Sequence, residues 1–163
     1  MVLDFKSDVE KVYDEYADMM YRIALTHSRN SHDAMDAVQD VFGKYASSPR
    51  FFADEEHRKA WLVRSTVNRC LDIFRMNKVR AYVALEEAVE VPDDESPLFA
   101  SIKLCVDNLP EQFKTVVVLH YLEGFSLEEI ATSLKLSVSA VKMRLSRARE
   151  FLKETYKEDD FYV

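Results

Sequence analysis

The chain has 163 residues and a formal net charge of −7, which allows one medium domain or two small ones. No run of about 18 apolar residues is present for a membrane span, and the start, MVLDFKSDVEK, is too acidic and polar for a signal peptide. With only two Gly and four Pro, few positions break a helix, so an all-α chain is expected.

From the N-terminus, Phe5, Val9, Val12, Tyr13, Tyr16, Met20 and Ile23 recur three or four residues apart, the period of a long amphipathic helix. Asn30-Ser31 starts a second helix, with Asp33 suited to the positive end of its dipole. Its apolar stripe is Ala34, Ala37, Val38, Val41, Phe42 and Tyr45, and Asp33, Asp36, Gln39 and Asp40 line the opposite face. Residues 46–54, with Ser47, Ser48 and Pro49, read as a loop. A third helix is expected from about Glu55 to Met76, burying Ala60, Trp61, Val67, Cys70, Leu71 and Phe74. Together these make one small bundle.

Residues 84–97 (ALEEAVEVPDDESP) lack a helical stripe, contain two prolines and carry only negative charge, so they read as a mobile linker. An apolar period returns over residues 98–108 and stops at Pro110. A further helix is expected over Glu111–Leu122, with Gly124 as its C-terminal cap. Cys70 and Cys105, each among apolar positions, give neither metal spacing nor a disulfide framework and suit a reducing cytoplasm.

Residues 126–153 (SLEEIATSLKLSVSAVKMRLSRAREFLK) have the pattern of two helices joined by a sharp turn. Ser126 and Glu129 form a capping box, and Leu127, Ile130, Ala131 and Leu134 make one apolar face. Lys135-Leu136-Ser137 is the turn, and Ser137 is placed to cap the next helix. In that helix Val141, Leu145, Ala148 and Leu152 form the inward stripe. Lys142, Met143, Ser146 and Arg147 share the outward face, flanked by Arg144 and Arg149. A helix free of acids from Ser137 to Arg149, braced by a capped partner, is what a DNA-reading helix-turn-helix requires. An ordinary amphipathic pair with a solvated basic side is the plainer alternative.

An acidic chain is ill suited to a polyanion as a whole, but the charge is unevenly placed. Residues 1–80 carry 13 basic and 13 acidic side chains, and residues 81–101 carry six acids and no base. Residues 102–157 carry nine bases against seven acids, while Glu158–Asp160 adds three acids. Within residues 58–80 seven bases stand against the single Asp72. Two basic faces therefore sit in a globally acidic molecule, which is expected to hold DNA poorly alone. His27, His32, His57 and His120 are scattered, no nucleophile–base spacing occurs and Gly-rich phosphate loops are missing. No enzyme, cofactor or metal site is expected.

Four ordered blocks resemble the sigma-70 family of bacterial RNA polymerase sigma factors, and most closely its small extracytoplasmic-function group. They are SHDAMDAVQDVF (31–42), KAWLVRSTVNRCLD (59–72), LPEQFKTVVVLHYLEGFSLEE (109–129) and AVKMRLSRAR (140–149). The resemblance implies an alternative sigma factor with two helical domains on an acidic linker. Residues 1–80 would be region 2, 81–97 the linker, 98–157 region 4 and 158–163 an acidic, aromatic tail. By matching position, Asp36, Gln39, Asp40 and Phe42 would contact core polymerase, Phe42 being equally readable as a core residue. The loop 46–54 and Asn68 would meet the −10 element. Phe51 or Phe52 would wall a pocket for a flipped base or else anchor the loop. Arg64, Arg69, Arg75, Lys78 and Arg80 would hold phosphates. Ser139, Lys142, Met143, Arg144, Ser146, Arg147 and Arg149 would meet the −35 element. Implied partners are core RNA polymerase, through its beta-prime clamp and beta flap, promoter DNA and an anti-sigma factor. The free protein is expected to be a cytoplasmic monomer. The competing reading is a self-sufficient helix-turn-helix regulator, which would need a dimer surface of its own.

Overall fold

The computed structural model describes residues 2–28, 30–47, 51–81 and 105–155. The chain divides into two compact units, Met1–Asp93 and Asp94–Val163. The expected acidic linker, apart from residue 81, and the tail 158–163 lie outside the described residues.

The first unit is a three-helix bundle of α1 (Val2–His27), α2 (Ser31–Ser47) and α3 (Glu55–Ala81), each packed on the other two. The expected stripe of α2 is buried throughout, whereas Tyr13 of α1 is 46% exposed, and on α3 Trp61, Leu71 and Phe74 are only half-buried while Leu62 and Val63, outside the expected stripe, are enclosed. Val12, Tyr16 and Met20 of α1 pack with Ala34, Ala37, Val38, Val41, Phe42 and Tyr45 of α2 and Leu62 and Cys70 of α3, and Ile23, Val63 and Val67 are buried as well. Trp61 is half-buried and packs on this core from its edge. Met20 and Leu62, fully enclosed, each remove enough apolar surface from water to contribute about 1.5–3 kcal/mol.

Three boundaries differ from the sequence expectation. Helix α2 continues through Ala46 and Ser47, which the loop had claimed. Helix α3 passes Met76 and runs to Ala81; Met76 and Lys78 are exposed, so the helix continues here without the apolar stripe that marks its earlier turns. The expected helix Glu111–Leu122 is α-helical only over Glu111–Val117, here α4, and then opens into a π turn at Val118–Leu122. Glu123 N donates to Val118 O at 3.1 Å, five residues back, which is the wide hydrogen-bond ring of that conformation.

The second unit adds α5 (Leu127–Leu134) and α6 (Val138–Thr155) to α4 and the π turn. Its core is Val106, Leu109, Val116–Leu119, Phe125, Ile130, Ala131, Val141, Leu145 and Ala148. Gly124 follows the π turn at φ +71°, a conformation glycine adopts without steric cost. Lys114 is buried beside Glu111, its Nζ 3.2 Å from Oε1, so the ammonium keeps a counter-charge where water is scarce.

Candidate nucleic-acid interface

Local chemistry fixes the pair α5–α6. Glu129 N donates to Ser126 Oγ at 3.1 Å and Ser126 N to Glu129 Oε2 at 2.8 Å, the expected capping box. Helix α5 then stops because Lys135 turns left-handed at φ 54°, ψ 47°, and Leu136 N closes back on Ala131 O at 2.9 Å. Ser137 Oγ accepts from Ala140 N at 3.1 Å and opens α6.

Burial then orients α6. Val141, Leu145 and Ala148 are inside, so Ser139, Lys142, Met143, Ser146 and Arg147 fall on one exposed stripe. Arg144, half-buried, and Arg149, exposed, lie on opposite flanks of that stripe. Met143 is 55% exposed, unusual for its type and consistent with a contact surface. Five of the seven sequence-derived candidates on this helix therefore share one exposed stripe, as cations and small polar groups with one apolar side chain among them, and Arg144 and Arg149 only flank it.

In the first unit the candidates separate into two surfaces. On α2, Gln39 and Asp40 are exposed and Asp36 is half-buried, on one side of the helix. His32 Nε2 lies 3.4 Å from Asp36 Oδ2. Phe42 is buried, 7% exposed, with its ring 4.9 Å from that of Tyr13. It belongs to the core and reaches outward only as part of the floor of a shallow groove of about 350 Å³, lined also by Val9, Glu10, Tyr13 and Asp14.

On α3, Arg64, Asn68, Arg75 and Lys78 lie at spacings that share one face, and Asn68, Arg75 and Lys78 are exposed. Arg75 stands 3.7 Å from Asp72. Arg69 is off this stripe. It faces α2, and its Nε donates to Asp40 Oδ2 at 2.7 Å. Two residues expected to serve different ligands are thus partners of each other. Asn77, on the same side, donates to Asp33 Oδ2 at 2.9 Å. The side chain of Arg80 lies outside the described residues.

The two phenylalanines after α2 have different environments. Phe52 stacks on Tyr45 (6.3 Å, 9°), meets Trp61 at 6.1 Å, and has the Arg58 guanidinium 5.7 Å above its ring. Phe51, beside it, is fully exposed. Phe52 anchors and Phe51 projects. A polar knot holds this anchor: Tyr45 Oη donates to Asp8 Oδ2 at 2.8 Å, Tyr16 Oη to Glu55 Oε2 at 3.0 Å, and Arg58 pairs with Glu55 and Asp8. Burial first, then the Asp8 carboxylate, pushes the Tyr45 hydroxyl up to about 12; burial and Glu55 raise Tyr16 as well. Asp54 caps α3 by accepting from His57 N at 2.9 Å, and this bond, with the His57 ring, holds its carboxyl below the ordinary range.

Sequence reasoning missed the Asp40–Arg69 pair, the π turn and a bond from Arg149 to Tyr121. The first and last join helices far apart in the chain, so no local pattern signals them. The π turn is hidden in an unbroken apolar run.

Comparison with known proteins places both units in a family context. The profile of sigma-70 region 2 matches residues 12–80, and that of sigma-70 region 4 matches residues 99–152. The ECF RNA polymerase sigma-E factor of Haemophilus influenzae is 31% identical over 145 residues, covering 78% of this chain and 77% of that protein. RNA polymerase sigma factor SigV of Bacillus subtilis is 29% identical, covering 86% of each. ECF sigma factor SigE of Mycolicibacterium smegmatis is 32% identical over 89% of this chain, which spans 60% of that relative's length. Two solved structures share the fold at 23% identity. The sigma factor RpoE of Bartonella quintana, in complex with the anti-sigma factor NepR, gives a TM-score of 0.68 over 96% of this chain and 98% of its own. CnrH, in complex with the cytosolic domain of CnrY, gives 0.71 over 92% and 88%. No helix among the described residues is long and apolar enough to cross a membrane.

Proposed function

This chain belongs to the extracytoplasmic-function group of the sigma-70 family, and from that premise we propose how its surfaces divide the work. As an alternative sigma factor it brings core RNA polymerase to promoter DNA and directs transcription; it is not an enzyme. Helix α6 enters the major groove of the −35 element, with Lys142, Met143, Ser146 and Arg147 toward base edges and Arg144 and Arg149 toward phosphates. The observation that carries this reading is the single exposed stripe opposite buried Val141, Leu145 and Ala148.

The first unit takes the −10 element. Arg64, Arg75 and Lys78 supply cations along one face of α3, with Asn68 among them as an amide donor and acceptor. Phe51, projecting from the anchored loop, supplies an aromatic wall for an extruded base, a role for which Phe52 is already committed elsewhere. Asp36, Gln39 and Asp40 dock on the beta-prime clamp, and the second unit rests on the beta flap. The protein works in the cytoplasm as a monomer when free. An anti-sigma factor restrains it, a reading supported by the anti-sigma partner in the RpoE complex.

The test is reconstitution of the purified chain with bacterial core polymerase on genomic DNA, reading transcript starts. Defined starts preceded by shared −35 and −10 sequences are expected. A chain that joins core enzyme yet initiates nowhere would overturn the assignment of the two DNA surfaces.

A further inference from the structure

Arg149, on the flank of α6, is tied to a residue outside the helix pair. Its Nη1 donates to Tyr121 Oη at 2.9 Å, 28 residues away in the chain. Tyr121 sits in the π turn and is 55% exposed, so the contact lies at the surface. Its ring is braced from behind by His120, edge-on at 4.9 Å and 73°. His120 is itself fastened, with Nδ1 2.9 Å from the Phe125 carbonyl oxygen. A carbonyl only accepts, so Nδ1 carries the hydrogen and the ring orientation is set.

A free arginine on a helix surface gives up about 2 kcal/mol of rotamer freedom when a ligand orders it. Here part of that ordering is already done by a rigid aromatic. The tyrosine oxygen accepts from Arg149 and keeps its own O–H to donate. The pair thus offers a phenolic O–H beside the remaining N–H groups of a guanidinium: donors only, with one positive charge. That set matches a singly charged tetrahedral oxyanion, and on this flank of α6 the oxyanion is a phosphodiester of the DNA backbone. The π turn makes the arrangement available, since its wide ring shifts the side-chain register by about one residue relative to an α-helix.

We propose that Tyr121 and Arg149 form a phosphate clamp on the DNA backbone beside the −35 element, with Tyr121 both ordering Arg149 and donating to the phosphate. This rests on the assignment of α6 to the −35 element. The clamp adds affinity without sequence information and sets how deeply the second unit seats on the duplex.

The experiment measures binding of holoenzyme, assembled from the full chain and core polymerase, to a promoter fragment and to copies bearing single neutral methylphosphonates across the −35 region. Tyr121→Phe keeps the ring on His120 and removes only the hydroxyl. It is expected to weaken binding about threefold to tenfold, to leave the ranking of −35 sequences unchanged, and to flatten the salt dependence if Arg149 also disengages. At one methylphosphonate position wild type is expected to lose that advantage, so that wild type, Tyr121→Phe and Arg149→Gln bind alike. Unchanged binding by Tyr121→Phe, or the same loss at every methylphosphonate position, would overturn the clamp. Lys142→Ala and Arg147→Ala separate the two readings: if they weaken binding while Tyr121→Phe does not, the clamp alone falls. If none of the variants changes binding, the −35 assignment falls and takes the clamp with it.

Discussion

Asp40 of α2 and Arg69 of α3, 29 positions apart in sequence, form an ion pair across the helix interface, with Nε and Oδ2 2.7 Å apart. The side chains are 46% and 31% exposed, so water screens the pair and its contribution to stability is below about 1 kcal/mol. Its geometric effect is larger, because it fixes where the Asp40 carboxylate stands. Asp40→Ala is therefore expected to leave thermal unfolding nearly unchanged and to weaken core polymerase binding. Arg69→Ala is expected to weaken it less, and the double variant no more than Asp40→Ala alone. A competition assay for core enzyme checks this, and additive losses would show that the residues act independently.

The proposed base contacts of α6 have a characteristic signature when truncated. Lys142→Ala and Arg147→Ala should each cost about 1–3 kcal/mol of promoter affinity and relax preference at one −35 position. Transcription from a library of −35 variants reads this directly. A uniform loss at all sequences would reassign the residue to phosphate.

The two neighbouring phenylalanines should respond oppositely. Phe52→Ala removes the ring held by Tyr45, Trp61 and Arg58 and is expected to destabilise the first unit by about 2 kcal/mol. Phe51→Ala exposes nothing new and should leave stability within about 0.5 kcal/mol. Its expected effect is slower strand opening at the promoter, measured by permanganate reactivity of −10 thymines. Normal opening by Phe51→Ala would remove it from the base-capture role.

Alkaline pH should loosen the first unit. Tyr45 loses its proton at about 12 in the fold against an ordinary 10, so the folded unit holds that proton more tightly than the unfolded chain. The stabilisation is fully present below pH 10 and is lost as pH rises from 10 toward 12. Tyr16 shifts in the same direction. Trp61, the single tryptophan, packs on this core and reports its unfolding. Urea midpoints followed by its fluorescence should fall above pH 10, and less steeply in Tyr16→Phe/Tyr45→Phe.

Lys135 holds a left-handed backbone that costs a side-chain-bearing residue about 1 kcal/mol. Lys135→Gly should stabilise the α5–α6 turn by about 0.5–1 kcal/mol, and Ser126→Ala should cost about 1 kcal/mol through loss of the cap. Hydrogen exchange of the α5 amides in the full chain resolves both, with protection rising in the first and falling in the second.

Much of this could be read from residues alone, and the reasons differ by feature. The core stripes of α1 and α2, the capping box at Ser126 and the outward face of α6 depend on neighbours within one or two turns. The late end of α3 was not legible, since the apolar stripe fades by Met76 and Lys78, which are exposed, while the helix continues. Nor was the π turn, because Val116–Leu119 is apolar throughout and buries equally well at either helical pitch.

By itself the sequence determined an all-α chain, a capped helix pair presenting one cationic face, and a second basic face on α3. These follow from a period of 3.6 residues, from caps and from charge, all of them local. Only the tertiary structure decided that Phe51 projects while Phe52 anchors, that Phe42 belongs to the core, that Arg69 serves Asp40 and that Tyr121 steadies Arg149. Each of those outcomes depends on which residues helix packing brings together from distant parts of the chain, and local periodicity carries no information about that meeting.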